Sequence, residues 1–376
     1  MSRSKKFHRC LDKFIGPIIV RLLVIFKSKR KMPVAECIKR IGVFQPTAIG
    51  DAVMCLGLLD EFRINFPNSQ QIIFCSQANS SVFLNLYPNK NFHVVVCNFL
   101  SPIKTLIKIN NQKVDLLVDL CPWSFITAIY SFFSNAKYTV GFAPKGIKRH
   151  GVYDLPIEHR CDIHEFDNLN LLRSHICDGS YIKRQLNLIE VNPNIAINFD
   201  NLVLLHTCAG GSQAKAKQWP VSSWVKLAQM LSENGFEILF TGVKADQNYI
   251  SEIVNQLKAR GISSISLAGM LTLEQLVFIV RRALIAITVD TSVLHIAVAI
   301  NARVIGLHGP TLSKRWGATN EYGCSIDAPH SSAGYINFGF ENHPDSLDIM
   351  SSIDAKAVIE KMKFSLGKRF NKSAVN

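Results

Sequence analysis

The chain has 376 residues, of which 48% are hydrophobic and 19% are charged. This length suits two domains of ordinary size, and this composition excludes long disordered tracts. Lys and Arg number 42 against 28 Asp and Glu, but ten of the basic side chains and one acid, Asp12, lie within residues 1–31. The rest of the chain is only mildly basic, and it lacks the basic stripes with groove-reading motifs that are typical of nucleic-acid binding.

Residues 14–26 form an apolar segment that is flanked by basic side chains. The segment is interrupted by Pro17 and Arg21 and falls short of the ~20 apolar residues that a spanning helix needs. Apolar side chains recur there at steps of three and four residues, the spacing of one helical face: Phe7, Leu11, Phe14, Ile18, Leu22 and Ile25. The pattern predicts that residues 1–38 form a basic amphipathic segment on the inner face of the cytoplasmic membrane, with residues 1–32 making the contact. A non-cleaved signal anchor and a disordered basic tail are the alternatives.

The ten cysteines are scattered, with no Cys-x-x-Cys pair and no histidine at the spacing of a zinc site. Several lie in apolar runs, where a free thiol acts as a small hydrophobe. This usage indicates buried thiols in a reducing compartment and not a disulfide framework.

From residue 39 onward, short apolar runs alternate with helical patterns. This alternation predicts βαβ units and a parallel sheet that is covered on both faces. An Asn-rich stretch near residues 176–200 is the predicted link, after which the pattern restarts. The first half has predicted strands at 39–44, 72–76, 94–97 and 115–120 and helices at 51–66 and 78–86. The second half has predicted strands at 202–206, 236–242, 264–269, 284–290 and 302–309 and helices at 221–235, 246–260, 272–283, 295–301 and 353–364.

The restart predicts an α/β fold with two Rossmann-like doubly wound domains that face each other across a cleft. We expect the amino-terminal domain to span residues 39–190 and to bind an acceptor. The carboxyl-terminal domain, residues 191–376, is expected to bind a nucleotide sugar. Its final helix, 353–364, can pack back on the amino-terminal domain.

Three strand-to-helix junctions carry candidate chemistry, because ligands of open α/β sheets bind at the carboxyl ends of strands. At the first, residues 45–51, Asp51 opens a helix. Its carboxylate is a candidate to accept a proton from an attacking hydroxyl group. The alternative is that Asp51 only caps the helix.

The second and third junctions are candidates for binding an anion. In residues 206–219, small residues let backbone N–H groups approach an anion, and Lys215 or Lys217 can neutralise it. In residues 288–295, Thr291 and Ser292 open a helix at a place where a diphosphate could dock. The alternative is ordinary N-capping, with His295 packed beneath the helix.

Taken together and in this order, the junctions give the chain a resemblance to glycosyltransferase family 9, the heptosyltransferases of lipopolysaccharide core assembly. The resemblance runs from about Ile41 to Gly317 and rests on IGVFQPTAIGDAVMCLGLLDEFR, AKQWPVSSWVKLAQML, FEILFTG and the run from SLAGMLTLEQ to GLHGPT. It implies GT-B architecture, an inverting transfer and, usually, an ADP-activated heptose as donor.

The resemblance also implies roles for individual residues. Asp51 is similar to the carboxylate proposed as the general base, and Lys217 to the lysine that meets the donor phosphates. Asp246 stands where the family often places an acid near the donor ribose. The donor motif of the carboxyl-terminal domain is matched by Asp290, Thr291 and His295. Ser292 stands where the family usually has Gly, which puts the identity of the sugar nucleotide in doubt.

The acceptor is expected to be an anionic lipid-linked glycan. Lys145, Lys148 and Arg149 lie in one loop, PKGIKRH, which suits phosphate or carboxylate groups. A solvated basic loop is the alternative.

No Asp-x-Asp motif occurs in the sequence. No cofactor is therefore expected, and a divalent cation is not implied.

Two other functions use related scaffolds. A family relative can use another nucleotide sugar for a different glycan, and nucleotide-sugar epimerases share the two-domain scaffold, since fold alone does not determine function. A dehydrogenase is disfavoured because no Gly-x-Gly-x-x-Gly follows the first strand.

Overall fold

The computed structural model describes residues 12–88, 91–99, 101–179, 182, 184–211, 213–337, 341–344, 347–367 and 370. It divides into two compact units, residues 1–183 and 184–376, which we call unit 1 and unit 2. The division falls a few residues before the expected boundary at 190. Residues of the link already belong to unit 2, because the Leu186 N–H donates to the Ala299 carbonyl at 2.6 Å and Glu190 pairs with Arg281 at 2.8 Å.

Unit 1 is built on a six-stranded parallel sheet in the order β3-β2-β1-β4-β5-β6. Its strands are β1 (Arg40–Phe44), β2 (Gln70–Cys75), β3 (Phe92–Val96), β4 (Leu116–Asp119), β5 (Tyr138–Pro144) and β6 (Leu155–His159). Its helices are α1 (Gly16–Ile25), α2 (Ile49–Asn65), α3 (Pro102–Asn110), α4 (Phe125–Phe133) and α5 (Glu165–Arg173). Short helical turns are Ala35–Cys37, Val82–Leu86 and His150–Val152.

Unit 2 repeats this plan with the sheet order β12-β11-β10-β7-β8-β9. Its strands are β7 (Leu202–His206), β8 (Glu237–Thr241), β9 (Ile265–Ser266), β10 (Ile285–Val289), β11 (Val304–His308) and β12 (Gly323–Asp327). Its helices are α6 (Val221–Glu233), α7 (Gln247–Lys258), α8 (Leu273–Arg282), α9 (Ser292–Ala299), α10 (Ser313–Trp316) and α11 (Ala355–Leu366). Short helical turns are Lys244–Asp246 and Met350–Ser352.

The two sheets follow the same strand order, which reverses direction between β1 and β4 in unit 1 and between β7 and β10 in unit 2. Every residue of β4, β7, β10 and β11 is buried, as continuous apolar strands of a parallel sheet covered on both faces should be. The prediction of two Rossmann-like doubly wound domains is confirmed. In such sheets, the reversal is the place where ligands bind, outside the carboxyl ends of the strands.

All nine predicted strands are present, although β9 is only two residues long. The helix predicted at 78–86 is a short turn that ends in the π-helical residues Val82–Leu86. Six of the described cysteines are buried, as expected for thiols in apolar strands and helices. The strands and α-helices that the sequence analysis did not predict are β5, β6, β12, α3, α4, α5 and α10.

The final helix, α11, packs in the core of unit 2. Val358, Ile359 and Met362 lie in the same buried cluster as Trp219 and Trp224. The Trp219 indole N–H donates to the Ile353 carbonyl at 3.2 Å just before the helix. The alternative placement, on the amino-terminal domain, is therefore not the one that the structure shows.

The amino-terminal segment is not a separate domain, which corrects the boundary expected at residue 38. Helix α1 packs on α4, and Val20 is buried with Ala128, Val152 and Tyr153 in one apolar cluster. Phe7 and Leu11, which belong to the predicted apolar stripe, lie outside the described residues. Within the described ranges, no helix combines the length and the apolar character that crossing a bilayer requires.

Candidate functional site

The switch point of unit 2 brings the second and third sequence junctions to one edge of the sheet. Strands β7 and β10 are parallel neighbours, with His206 paired to Thr288. The loop after β7 leads to α6 and carries Lys217, while β10 is followed directly by Asp290. Because parallel strands share an edge at their carboxyl ends, both segments lie where a ligand of this fold binds.

Three side chains meet at this edge. Lys217 Nζ lies 2.7 Å from Asp290 Oδ2, and the Thr311 hydroxyl group donates to the same oxygen at 2.7 Å. Asp290 is buried, whereas 21% of the Lys217 side chain stays exposed. His295 Nε2 lies 4.0 Å from the other carboxylate oxygen. We call Lys217, Asp290, His295 and Thr311 the Asp290 cluster.

The electrostatics of the Asp290 cluster keep its carboxylate ionised. Burial alone raises the pKa of Asp290, but the charges of Lys217, His308 and His295 outweigh burial and hold that pKa well below its usual range. The carboxylate can therefore hold the Lys217 ammonium group in place over the whole neutral pH range. Since part of that ammonium side chain is exposed, it can also meet an anion.

The start of α9 is not closed by a side-chain cap. Thr291 has extended backbone angles at the N-cap position, and its side chain makes no capping hydrogen bond within the described structure. The Asp290 carboxylate faces Lys217 and Thr311. The side chains of Asp290 and Thr291 therefore do not cap α9, contrary to the N-capping alternative. The first N–H groups of α9, at Ser292 and beyond, lie at the carboxyl edge of the sheet.

Asp246 lies close to the end of β7 but also has a local structural role. Its Oδ2 accepts the Val243 N–H at 2.9 Å, which stabilises the turn before α7. Burial, with a contribution from the negative charge of Asp246, raises the pKa of the Cys208 thiol to about 11. This coupling places the Asp246 carboxylate near the loop that carries Lys217. Lys215, the other lysine of that loop, is exposed.

The switch point of unit 1 holds Asp51. Strands β1 and β4 are parallel neighbours, and Asp51 lies in the first turn of α2, after the loop that leaves β1. Its Oδ2 accepts the Ala48 N–H at 3.4 Å, which is long for a capping bond. The capping alternative is thus present but weak. The half-buried Asp51 contributes negative charge at Cys121, just beyond β4.

The loop before Asp51 contains two polar side chains that the sequence did not single out. Gln45 is buried, and its side-chain oxygen Oε1 has no hydrogen-bond partner within the described ranges. The Thr47 hydroxyl group is in the same situation. A buried polar atom without a partner usually calls for a ligand, a water molecule or a functional reason. Their place directly after the central strand is the signal that points to them.

Arg149 has to be removed from the expected acceptor-binding set. Its guanidinium group is fully buried and donates to the Asp119 carboxylate, the Thr127 hydroxyl, the Cys121 carbonyl and the Tyr153 hydroxyl. This cluster lies behind the end of β4 and ties it to α4. A side chain held in this way has no surface left for a glycan.

Lys145 and Lys148 differ from Arg149, because both are exposed in the loop after β5. Their acceptor role stays a prediction. His159 and Glu165, with 2.8 Å between His159 Nε2 and Glu165 Oε2, form a further buried pair at the end of β6. Because β6 is absent from the predicted strands, nothing in the sequence pattern indicated this pair.

Thr311 and His308 are the residues of unit 2 that sequence reasoning missed. Both lie at or after the end of β11, the neighbour of β10. His308 is fully buried, and burial lowers its pKa, although the nearby Asp290 acts in the opposite direction. Their position at a strand end next to the switch point is the signal that could have found them. In the part of the chain that the structure describes, no group of three His, Cys, Asp or Glu side chains is placed to hold a metal ion.

The chain is similar to known proteins over the region that contains these residues of unit 2. Residues 182–332, which include the whole Asp290 cluster, match the model of glycosyltransferase family 9 (heptosyltransferase). The chain is 25% identical over 276 residues to lipooligosaccharide heptosyltransferase 2 of Campylobacter jejuni, which covers 72% of this chain and 82% of that protein.

Two solved structures share the fold. A glycosyl transferase family 9 protein from Veillonella parvula has a TM-score of 0.68 at 17% identity and covers 90% of this chain and 100% of its own. The E. coli ADP-heptose LPS heptosyltransferase II has a TM-score of 0.69 at 17% identity, with coverages of 88% and 99%. At this identity the likeness shows the GT-B fold alone. With the family match and the sequence relative, it follows that the chain is a glycosyltransferase, and its residues 182–332 are similar to glycosyltransferase family 9.

Proposed function

We propose that the chain transfers a heptose, with inversion at the anomeric carbon, from ADP-heptose to a hydroxyl group of an anionic lipopolysaccharide-core acceptor. The observation that carries this proposal is the ion pair between Lys217 and Asp290 at the β7/β10 switch point, inside the region that matches the family. The sequence relative from Campylobacter jejuni, a heptosyltransferase, supports the choice of sugar. The E. coli structure, of an ADP-heptose LPS heptosyltransferase, shares the fold.

In the proposed mechanism, unit 2 holds the donor. The exposed part of the Lys217 ammonium group meets the diphosphate, while Asp290 and Thr311 keep Lys217 in position. The N–H groups at the start of α9, near Thr291 and Ser292, add hydrogen bonds and the positive end of the helix dipole. His295 completes this pocket beside Asp290. Asp246 lies near the loop after β7, where its carboxylate can accept a hydrogen bond from a hydroxyl group of the donor ribose.

The Asp51 carboxylate acts as the general base in the proposed mechanism. The acceptor oxygen forms a bond to the anomeric carbon, the bond from that carbon to the phosphate oxygen breaks, and ADP leaves with the electron pair. The proton of the acceptor hydroxyl passes to the Asp51 carboxylate. Lys217 and the helix dipole stabilise the charge that develops on the departing diphosphate. Lys145 and Lys148, both exposed, are proposed to contact the anionic acceptor.

No resident metal or other cofactor takes part in these steps. We therefore expect full transferase activity in the presence of a chelator. The enzyme is proposed to act at the cytoplasmic face of the inner membrane, where a lipid-linked acceptor is accessible.

The test is transfer measured by mass spectrometry with ADP-heptose and a truncated lipopolysaccharide core, beside calorimetric binding of ADP, UDP, GDP and dTDP. We expect ADP to bind most tightly and the acceptor to gain one heptose in the inverted configuration. Preferential binding of another nucleotide would instead favour a relative that uses a different sugar nucleotide. Turnover of a nucleotide sugar without any acceptor would favour an epimerase on the same scaffold.

A further inference from the structure

Helix α1 turns a stripe of large apolar side chains outward. Between 56% and 78% of each side chain is exposed at Phe14, Ile18, Leu22, Ile25 and Phe26. Ile18, Leu22 and Ile25 are three or four residues apart and share one face of α1, and Phe14 and Phe26 flank the helix at its two ends. An exposed apolar surface of this kind usually marks an interaction site.

The opposite face of α1 packs closely against the rest of unit 1, so the helix is part of the folded unit. A Cβ atom at Gly16 would lie 2.5 Å from Phe125 Cβ, so only glycine allows this approach of α1 to α4. On the same face, Val20 is fully buried and Val24 packs against Gly151. The outward stripe is therefore presented by a helix whose orientation is fixed.

Hydrogen bonds ahead of α1 and ion pairs after it hold the chain at both ends of this helix. Ahead of it, the Asp12 carboxylate accepts the N–H groups of Phe125 and Ile126, at 3.2 and 2.7 Å, at the start of α4. After it, Asp154 pairs with Lys27 and with Arg30, each at 2.9 Å. Although burial raises the pKa of Asp154, hydrogen bonds from Arg30 and Lys27 outweigh burial and lower that pKa to about 2. This attachment persists at neutral pH.

The surface around the stripe is cationic. Lys27 and Arg30 are paired with Asp154, but Lys13, Arg21, Lys29 and Lys31 are exposed, and residues 13–31 contain no Asp or Glu. A self-complementary contact between two copies of this face would bring like charges together. An apolar stripe bordered by cations instead complements the boundary between the acyl chains and the anionic headgroups of a bilayer.

We propose that α1 is a membrane-docking helix that attaches unit 1 to an anionic lipid surface, with the stripe in the headgroup region and the cations among the phosphates. At about 1.5 Å per residue, its ten residues extend only about 15 Å, which suits a helix lying in the surface plane. This proposal does not depend on which sugar the enzyme transfers.

The experiment is co-sedimentation of the full chain with two kinds of vesicle. One contains phosphatidylcholine alone, and the other also contains roughly 30% phosphatidylglycerol, to imitate an anionic leaflet. We expect sedimentation with the anionic vesicles and at least about tenfold weaker partitioning with the neutral ones, because each cation near such a surface contributes about a fivefold factor. Ile18→Ser with Leu22→Ser should weaken partitioning by at least about tenfold through lost apolar burial. Arg21→Glu with Lys29→Glu should weaken it by about 25-fold or more.

Matched controls carry the same changes elsewhere. Ile64 on α2 is 61% exposed, and Lys258 and Arg260 are exposed at the end of α7, so Ile64→Ser and Lys258→Glu with Arg260→Glu should leave partitioning unchanged. Point changes are preferable to removal of residues 1–32, because that removal would expose the core around Val20. All variants should keep the thermal midpoint of the parent, since the changed side chains are exposed.

Equal partitioning of the parent and the two α1 variants would overturn the proposal. So would an α1 variant that changes only the sedimentation coefficient of the lipid-free protein, because the stripe would then be covered by a second copy or by another protein.

Discussion

Lys217 Nζ and Asp290 Oδ2 lie 2.7 Å apart, although 73 positions separate the two residues in the sequence. The contact joins the loop after β7 to the end of β10, the two strands between which the sheet order of unit 2 reverses. A carboxylate with a strongly depressed pKa thus orients a partly exposed ammonium group at the place where this fold binds ligands. The same pair explains why both residues belong to the candidate donor site.

The first prediction concerns Lys217. Lys217→Ala should weaken ADP binding by about tenfold to a hundredfold, the range expected for losing a hydrogen bond to a charged group, and should lower turnover as well. Isothermal titration calorimetry measures the affinity of each variant for ADP. Lys215→Ala, a change at the exposed lysine of the same loop, is the control and should bind ADP like the parent. Unchanged affinity of Lys217→Ala for ADP would contradict the proposed contact between Lys217 and the donor phosphates.

The second prediction tests the ion pair itself. In a double-mutant cycle of Lys217→Ala and Asp290→Asn, the free energies of unfolding should be non-additive, with a coupling of about 1–3 kcal/mol. The coupling is expected because Asp290 is buried and loses its main cationic partner in the first variant. Urea denaturation of the four proteins gives the coupling. Strict additivity would mean that the contact does not persist in solution.

The third prediction separates the core arginine from the surface lysines. Arg149→Met should lower the free energy of unfolding by about 3–5 kcal/mol, because it leaves the buried Asp119 carboxylate without its cation. Lys148→Ala, one residue away and exposed, should leave stability unchanged and raise only the KM for the acceptor. Normal stability of Arg149→Met, measured in the same urea titration, would contradict the buried placement.

The fourth prediction is a pH dependence. Burial lowers the pKa of His206 to about 4, so the unfolded chain takes up a proton at higher pH than the folded chain does. The contribution of the neutral, buried His206 to the free energy of unfolding is therefore complete above pH ~6.5, and it is lost progressively as the pH falls toward 4. The loss amounts to about 3 kcal/mol.

His206→Gln should flatten this part of the stability profile. The exposed His175→Gln variant is the control and should retain the slope. Urea denaturation between pH 7 and pH 4 provides the comparison, and an identical slope in the parent and in His206→Gln would contradict the prediction.

The sequence patterns identified the strands that are mainly apolar, such as β1, β4, β7 and β10. A strand buried on both faces produces such a short apolar run. They missed β6, whose sequence Leu-Pro-Ile-Glu-His is mixed, and β5, which includes Gly141 and ends in proline. Helix α4 was missed because its pattern is inverted, with the polar residues Thr127 and Ser131 buried and the apolar Phe133 exposed.

The candidate site shows the same limit. Asp51 and Asp290 could be found because each follows a recognisable strand, and position after a strand is a local property. The pairing of Lys217 with Asp290 depends on which strands are neighbours in the sheet, which no local pattern contains. Arg149 was misplaced for a related reason. Its charge run is typical of a solvated loop, and its partner Asp119 lies thirty residues earlier in the chain.

The proposed chemistry is tested most directly by comparing Asp51→Asn with the parent in donor affinity and in single-turnover rate, with Glu36→Gln, an exposed carboxylate of unit 1, as the control. We predict that Asp51→Asn binds ADP-heptose with the affinity of the parent and transfers heptose about 10²–10⁴ times more slowly, the usual contribution of a general base. Transfer by Asp51→Asn at the parental rate would contradict the assignment of Asp51 as the proton acceptor.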